Sequence, residues 1–186
     1  MGLLTFKGGV HPFEGKELSM DKPVEELKPG KELVYLLSQH IGAPAKAIVN
    51  KGDHVVVGQK IAEAGGFVSA PIYATVSGTV KSLEKRKNAT GGYVDAIVVE
   101  NDEQYESTTF VEADPESLSR EEILDRIREA GVVGMGGAGF PTAVKLAPKD
   151  PSTVDHILVN GSECEPYLTS DYRMMLEKPE MIVEGL

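Results

Sequence analysis

The sequence predicts a mixed chain of the α+β / α/β class, a β-rich N-terminal domain followed by the start of an α/β domain. Three observations carry that expectation. Short apolar runs separated by regular turn signals fill residues 41–101, the pattern of a small barrel or sandwich. A complete helix-start signal stands at Ser119. A cluster of glycines then runs through a proline into a helical pattern and a further apolar run. The expected domains are 1–107 and 119–186, joined by an acidic linker over 108–118.

The bulk properties limit the choice of function. The 186 residues suffice for one ordinary domain or two small ones. With 41% hydrophobic and 26% charged residues, the composition is that of a globular chain. The formal charge of −10 argues against nucleic acid as a partner, because phosphate contacts need clustered Lys and Arg. The one basic run, Lys81 to Lys87, reads as a solvated hairpin. Cys164 is the single cysteine, so this segment can build neither an intrachain disulfide nor a cysteine-ligated iron–sulfur cluster. No apolar run approaches the ~20 residues of a membrane helix, so any membrane association is expected to pass through partner proteins. The N-terminus turns polar too soon for a secretory signal.

Residues 1–44 are rich in turn formers, including Gly8-Gly9, Pro23 and Pro29-Gly30, and are expected to be irregular with short strands such as 33–37. Over 41–101, Val49, Val55, Val57 and Ile61 flank turns at Gly52-Asp53 and Gly58-Gln59. The pair Gly65-Gly66 predicts a tight hairpin. The chain returns through 68–71 and 76–80, and a last strand, 93–99, follows the turn at Gly91-Gly92.

Ser119 and Glu122 form a capping box, Leu118 and Ile123 a staple across it, and Gly131 a helix stop. Ile123, Leu124, Ile127 and Ala130 make one apolar stripe. Four glycines, Gly134, Gly136, Gly137 and Gly139, then fall within six residues. Glycines let backbone amides approach and aim at one ligand. Pro141 suits the first turn of a helix, a glycine loop opening onto a helix is a ready anion site, and Lys145 adds a charge about one turn later. The loop lacks the Gly-Lys-Ser/Thr ending of a Walker loop, and a structural turn is the competing reading. A strand is expected over 155–159. Asn160, Glu163 and Glu165 would cluster at its carboxyl end, where α/β folds bind ligands; the alternative is a polar loop with helix-capping acids. A short helix is expected over about 169–177, ended by Pro179. Cys164 is expected to pack incidentally.

Two resemblances add to this reading. The Gly-Asp turn, Gly-Gln-x-Ile and the Ala-Pro…Ser-Gly-Thr-Val return resemble the biotinyl/lipoyl carrier fold, a barrel-sandwich hybrid. The expected hairpin apex holds no lysine and the nearest, Lys60, lies in the preceding strand, which disfavours a carrier. The combination of Gly-Met-Gly-Gly-Ala-Gly-Phe-Pro-Thr-Ala-Val-Lys, Asn-Gly-Ser-Glu-Cys-Glu-Pro and Ser-Asp-Tyr-Arg resembles the flavin- and NADH-binding domain of respiratory complex I. With the N-terminal Phe-Lys-Gly-Gly-Val-His-Pro and the lipoyl-like barrel, the whole chain resembles the RnfC family, the C subunits of the Rnf ion-translocating ferredoxin:NAD oxidoreductases.

That resemblance implies an electron-input subunit, peripheral on the cytoplasmic face of a bacterial membrane and partnered by the other Rnf subunits. It implies FMN and NAD(H) as cofactors, with [4Fe-4S] clusters only in the full-length protein. Gly134, Gly136, Gly137 and Gly139 would line the flavin, Lys145 would pair with its phosphate or reactive face, and Asn160 and Glu163 would hold it. Phe140 and Glu165 would face the nicotinamide nucleotide. Met135 and Ser162 depart from the arginine and acid usual in complex I. The cysteine motifs expected after the flavin domain are absent and 181–183 read as the opening of a new helix, so the chain is expected to be an N-terminal fragment. A non-catalytic docking module, or the related A subunit of the sodium-translocating NADH:quinone reductase, are the alternatives; the intact Gly-Phe-Pro-Thr-x-x-Lys argues against the latter.

Overall fold

The computed structural model describes residues 8–10 and 12–186, so expectations for 1–7 and His11 lie outside the described residues. Two compact units form: Lys28–Thr153, and the described part of Met1–Leu27 with Val154–Leu186.

In the larger unit seven strands make two antiparallel sheets. β1 (Glu32–Leu36), β7 (Tyr93–Asn101), β6 (Gly78–Lys87) and β3 (His54–Val55) lie side by side in that order. β2 (Lys46–Ala47), β4 (Lys60–Glu63) and β5 (Ile72–Tyr73) form the second sheet. One core joins both: Tyr35, Val55, Val80, Ile97 and Val99 from the first sheet meet Ile61, Ala62 and Ile72 from the second. On β1 and β7 the two-residue alternation places Tyr35, Ile97 and Val99 on one face. β7 lies between β1 and β6, and its run Ala96–Val99 is buried throughout. Two buried hydroxyls close polar contacts within the barrel: the Tyr35 hydroxyl accepts the Thr75 amide and bonds the Thr75 hydroxyl, both at 2.9 Å. The Ser77 hydroxyl donates to Asp102 at 2.6 Å, holding that carboxyl below its usual range together with the Gln104 amide.

The barrel departs from expectation at two places. It begins at β1, before residue 41, because Glu32–Leu36 pairs along β7. Gly65-Gly66 is not a tight hairpin: β4 and β5 are joined by the longer connection 64–71, and neither glycine has positive φ. Gly65 is instead pressed against the Pro44 carbonyl, where a Cβ would collide; close approach, not turn geometry, calls for glycine there. Lys60 is on β4 and ion-paired with Glu129, not presented at an apex.

The basic run lies on β6 and is paired on the surface. Lys81 donates to Glu32 at 2.6 Å and Arg86 to Glu32 at 2.9 Å, while Lys85 reaches Asp95 at 3.0 Å. These contacts, Lys81 first, hold the Glu32 carboxyl below the usual carboxylate range. Exposed pairs of this kind contribute little to stability.

α1 (Arg120–Glu129) starts as the sequence predicts. The Ser119 side chain accepts the Glu122 amide and Glu122 accepts the Ser119 amide. At its other end Gly131 adopts φ 68°, the Gly131 amide donates to Arg128 and the Val132 amide to Ile127, a Schellman stop. Ile123, Leu124 and Ile127 are half-buried, whereas Ala130 is exposed. α2 (Thr142–Lys145) follows.

The smaller unit holds α3 (Ser170–Glu177) and α4 (Pro179–Gly185), confirming the helix expected near 169–177 and the new helix at 181–183. Residues from opposite ends of the sequence clasp each other here. The Ser19 hydroxyl bonds the Thr169 hydroxyl at 2.9 Å, Lys16 donates to the Leu168 carbonyl at 2.9 Å, and Arg173 donates to the Met20 carbonyl at 3.1 Å. Glu177 takes Arg173 and the Val24 amide, which hold its carboxyl below the usual range. The strand expected over 155–159 does not form: residues 154–160 carry no regular structure, and Leu158 is 90% exposed. A strand needs a partner for its backbone groups, and none of the described residues supplies one.

Candidate phosphate-binding loop

The glycine cluster forms a closed loop at the root of α2. Val133 and Pro141 form an antiparallel bridge, the Gly134 amide donates to the Phe140 carbonyl at 2.9 Å, and the Thr142 amide to Val132 at 2.9 Å. The loop's outer arc is Met135 to Ala138, exposed throughout. Around Gly136 and Gly137 there is open space, since a Cβ built on either meets nothing within 4 Å. Among the described residues the Gly137 amide has no protein acceptor. Gly139 is the buried foot of the loop, with φ 64°.

The cation comes from α2. Lys145 is exposed and enters no ion pair among the described residues. Its Nζ reaches back to the loop, 3.3 Å from where a Gly134 Cβ would stand. α2 is a single turn and Pro141 is its N-cap rather than its first residue. A helix so short has little macrodipole, so the positive potential rests on Lys145 and on loop amides. Phe140, 36% exposed, stands at the loop's exit. These features fit the phosphate end of a nucleotide: a Gly137 amide with no protein acceptor among the described residues, open space where the side chains of Gly136 and Gly137 would stand, and a lysine at the foot of the loop by Gly134.

Asn160, Glu163 and Glu165 belong to the other unit. The Asn160 side chain accepts the Ser162 amide at 2.9 Å. Glu163 Oε1 accepts the amides of Asp171 and Tyr172 at 2.8 and 3.0 Å, which caps the first turn of α3. The Glu165 side chain is exposed and its carbonyl accepts Lys16. The capping acid foreseen as the alternative is thus present in Glu163. Cys164 is exposed rather than buried. Sequence reasoning missed the residues beneath the loop: the Ile41 amide donates to the Ala138 carbonyl at 2.9 Å, and Gly139 lies against Gln39 and His40. No spacing rule links positions a hundred residues apart.

Fold and loop together define a barrel-sandwich module joined to a glycine loop suited to a phosphate. Residues 4–104 match the family model described as the RnfC barrel sandwich hybrid domain, and residues 127–186 match the Nuo51 FMN-binding domain. The chain belongs to the RnfC family. It is 47% identical to the C subunit of the proton-translocating ferredoxin:NAD(+) oxidoreductase complex of Clostridium ljungdahlii, over 99% of this chain and 41% of that protein. It is 42% identical to the C subunit of the Na(+)-translocating ferredoxin:NAD(+) oxidoreductase complex of Acetobacterium woodii, over 98% of this chain and 42% of that protein. The C subunit of the ion-translocating oxidoreductase complex of Rhodobacter capsulatus is 40% identical, over 98% of this chain and 36% of that protein. The chain spans about two fifths of the length of these curated relatives. No helix among the described residues is long and apolar enough to cross a membrane.

Proposed function

We propose that this chain carries the FMN-phosphate loop and the barrel of an electron-input subunit in an ion-translocating ferredoxin:NAD oxidoreductase. The observation that carries the reading is the exposed loop at Gly136 and Gly137, open in front and backed by Lys145. The family match to the barrel and the FMN-domain match over the loop support it. FMN, when bound, would exchange a hydride with NAD(H) and single electrons with iron–sulfur clusters; no residue of this chain is assigned to those clusters. The partners are the other subunits of the complex, on the cytoplasmic face of the bacterial membrane.

The chain's own residues act by placement and charge. The Gly137 amide donates to a phosphate oxygen. Lys145 neutralises the phosphate and fixes its position beside the loop. Gly134 and Gly139 hold the loop's two feet so that the arc stays open, and Phe140 flanks the approach of the nicotinamide nucleotide. Asn160, Glu163 and Glu165 are assigned to flavin and nucleotide contacts on the strength of the family resemblance, Glu163 through the oxygen not used in capping.

Gly137→Ala separates this role from a structural one. The added methyl meets no protein atom, so the melting temperature of the apoprotein stays unchanged. It does enter the space in front of the amide, so FMN affinity of the full-length protein, read by flavin fluorescence titration, falls by about tenfold or more. Unchanged affinity contradicts the assignment.

A further inference from the structure

We propose that His40, on the barrel, is a positioning residue for the glycine loop: it fixes the strap 39–41 on which the foot of the loop rests. The proposal takes the FMN reading above as its ground and extends it to a residue that belongs to the barrel.

Three observations meet at this strap. First, it makes the loop's anchoring hydrogen bond, from the Ile41 amide to the Ala138 carbonyl at 2.9 Å. Second, the loop's buried foot is moulded onto it. A Cβ on Gly139 would stand 2.8 Å from the Gln39 carbonyl oxygen and 2.9 Å from His40 Cα, so only glycine lets loop and strap touch here, and φ 64° at Gly139 adds a second reason. Third, the strap is itself held from behind. His40 is 9% exposed, its Nδ1 lies 3.1 Å from the Ile41 carbonyl oxygen, and its Nε2 receives the Ala70 amide at 3.1 Å.

The tautomer follows from the partners. Nε2 faces both the Ala70 amide at 3.1 Å and the Ala70 carbonyl oxygen at 3.2 Å. A hydrogen on Nδ1 serves the Ile41 carbonyl and leaves Nε2 to accept the Ala70 N–H, two bonds, whereas a hydrogen on Nε2 serves the Ala70 carbonyl alone. Nδ1 then bears the proton and donates to the Ile41 carbonyl. The imidazole thus bridges the Ile41 peptide to the start of the segment that leads into β5. Ile41 is the residue whose amide holds Ala138, so the ring fixes the residue that carries the loop's anchor. Strap and loop also share the wall of one cleft of about 470 Å³, lined by Gln39, His40, Val133 and Met135 among others. A binding loop is only as well placed as the shell beneath it.

The test compares His40→Ala, His40→Asn and wild type as full-length proteins, by amide hydrogen exchange and by FMN titration. Asn keeps a donor near the Nδ1 position and so restores the bond to the Ile41 carbonyl. The expected result is faster exchange in 39–42 and 134–140 for His40→Ala, with β6 and β7 unchanged. FMN affinity falls by about tenfold, and His40→Asn recovers it to within about threefold of wild type. Unchanged exchange in 134–140, or unchanged FMN affinity in a wild type that binds FMN, overturns the proposal. So does faster exchange throughout the barrel that Asn fails to restore, which would mark a general packing role. A wild type that binds no FMN refutes the functional reading instead, and local exchange alone then decides the anchoring. Should His40→Ala not fold, Gly139→Ala disturbs the same contact from the loop side and must speed exchange in both 39–42 and 134–140; unaltered exchange in 39–42 overturns the proposal.

Discussion

Ile97→Ala is expected to lower the unfolding free energy by about 2–5 kcal/mol. Ile97 is fully buried on β7, the strand between β1 and β6. It pairs across to Tyr35 on one side and Leu83 on the other and belongs to the core that joins the two sheets. Truncation removes apolar contact and leaves a cavity that strands held on both sides cannot close. Small domains have about 5–15 kcal/mol in total, so the variant loses a large fraction of its margin. Leu83, opposite Ile97 but 47% exposed, should give a much smaller loss on the same truncation. Urea midpoints of the two variants at constant slope check the difference; equal losses would contradict the assignment of the core.

Lys145→Ala is expected to weaken FMN binding by about ten- to a hundredfold, because a charge-assisted hydrogen bond to the phosphate is lost. The lysine is exposed and has no carboxylate partner among the described residues, so its removal leaves no buried charge behind and the fold should not suffer. Two further readouts isolate the phosphate. Raising the salt concentration should weaken FMN binding in the wild type more than in the variant, since screening acts on the charge pair. Riboflavin, which lacks the phosphate, should bind both proteins alike. Fluorescence titrations with the two ligands provide the check; a variant that loses riboflavin and FMN equally would move Lys145 from the phosphate to the ring.

What could be read from the sequence was mostly local chemistry. The capping box at Ser119 and Glu122 and the stop at Gly131 are contacts between residues a few positions apart, and the structure contains all of them. The turn signals of the barrel were legible for the same reason. The misreadings are pairing problems. Residues 155–159 have a strand's composition, but a strand exists only with a partner, and none of the described residues provides one. Gly65-Gly66 looked like a hairpin because glycine pairs usually accompany positive φ, whereas here the demand comes from Pro44, some twenty residues earlier. The clasp of Lys16, Ser19 and Met20 with Leu168, Thr169 and Arg173 joins positions about 150 residues apart and leaves no periodic trace.

The candidate site was legible in the same uneven way. The glycines and Lys145 stand out because their spacing is that of an anion-binding loop. Glu163 was ambiguous between ligand and cap, and the structure shows its capping bonds. His40 was invisible, because a lone histidine followed by Ile-Gly has no signature; only folding sets it under Gly139.

Hydrogen exchange of the full-length protein with and without FMN bears most directly on the cofactor loop. Added FMN should slow exchange across 134–140, most at the outward arc around Gly137, while the strands β6 and β7 keep their rates. Protection that appears elsewhere and leaves 134–140 exchanging at the apoprotein rate would contradict the account.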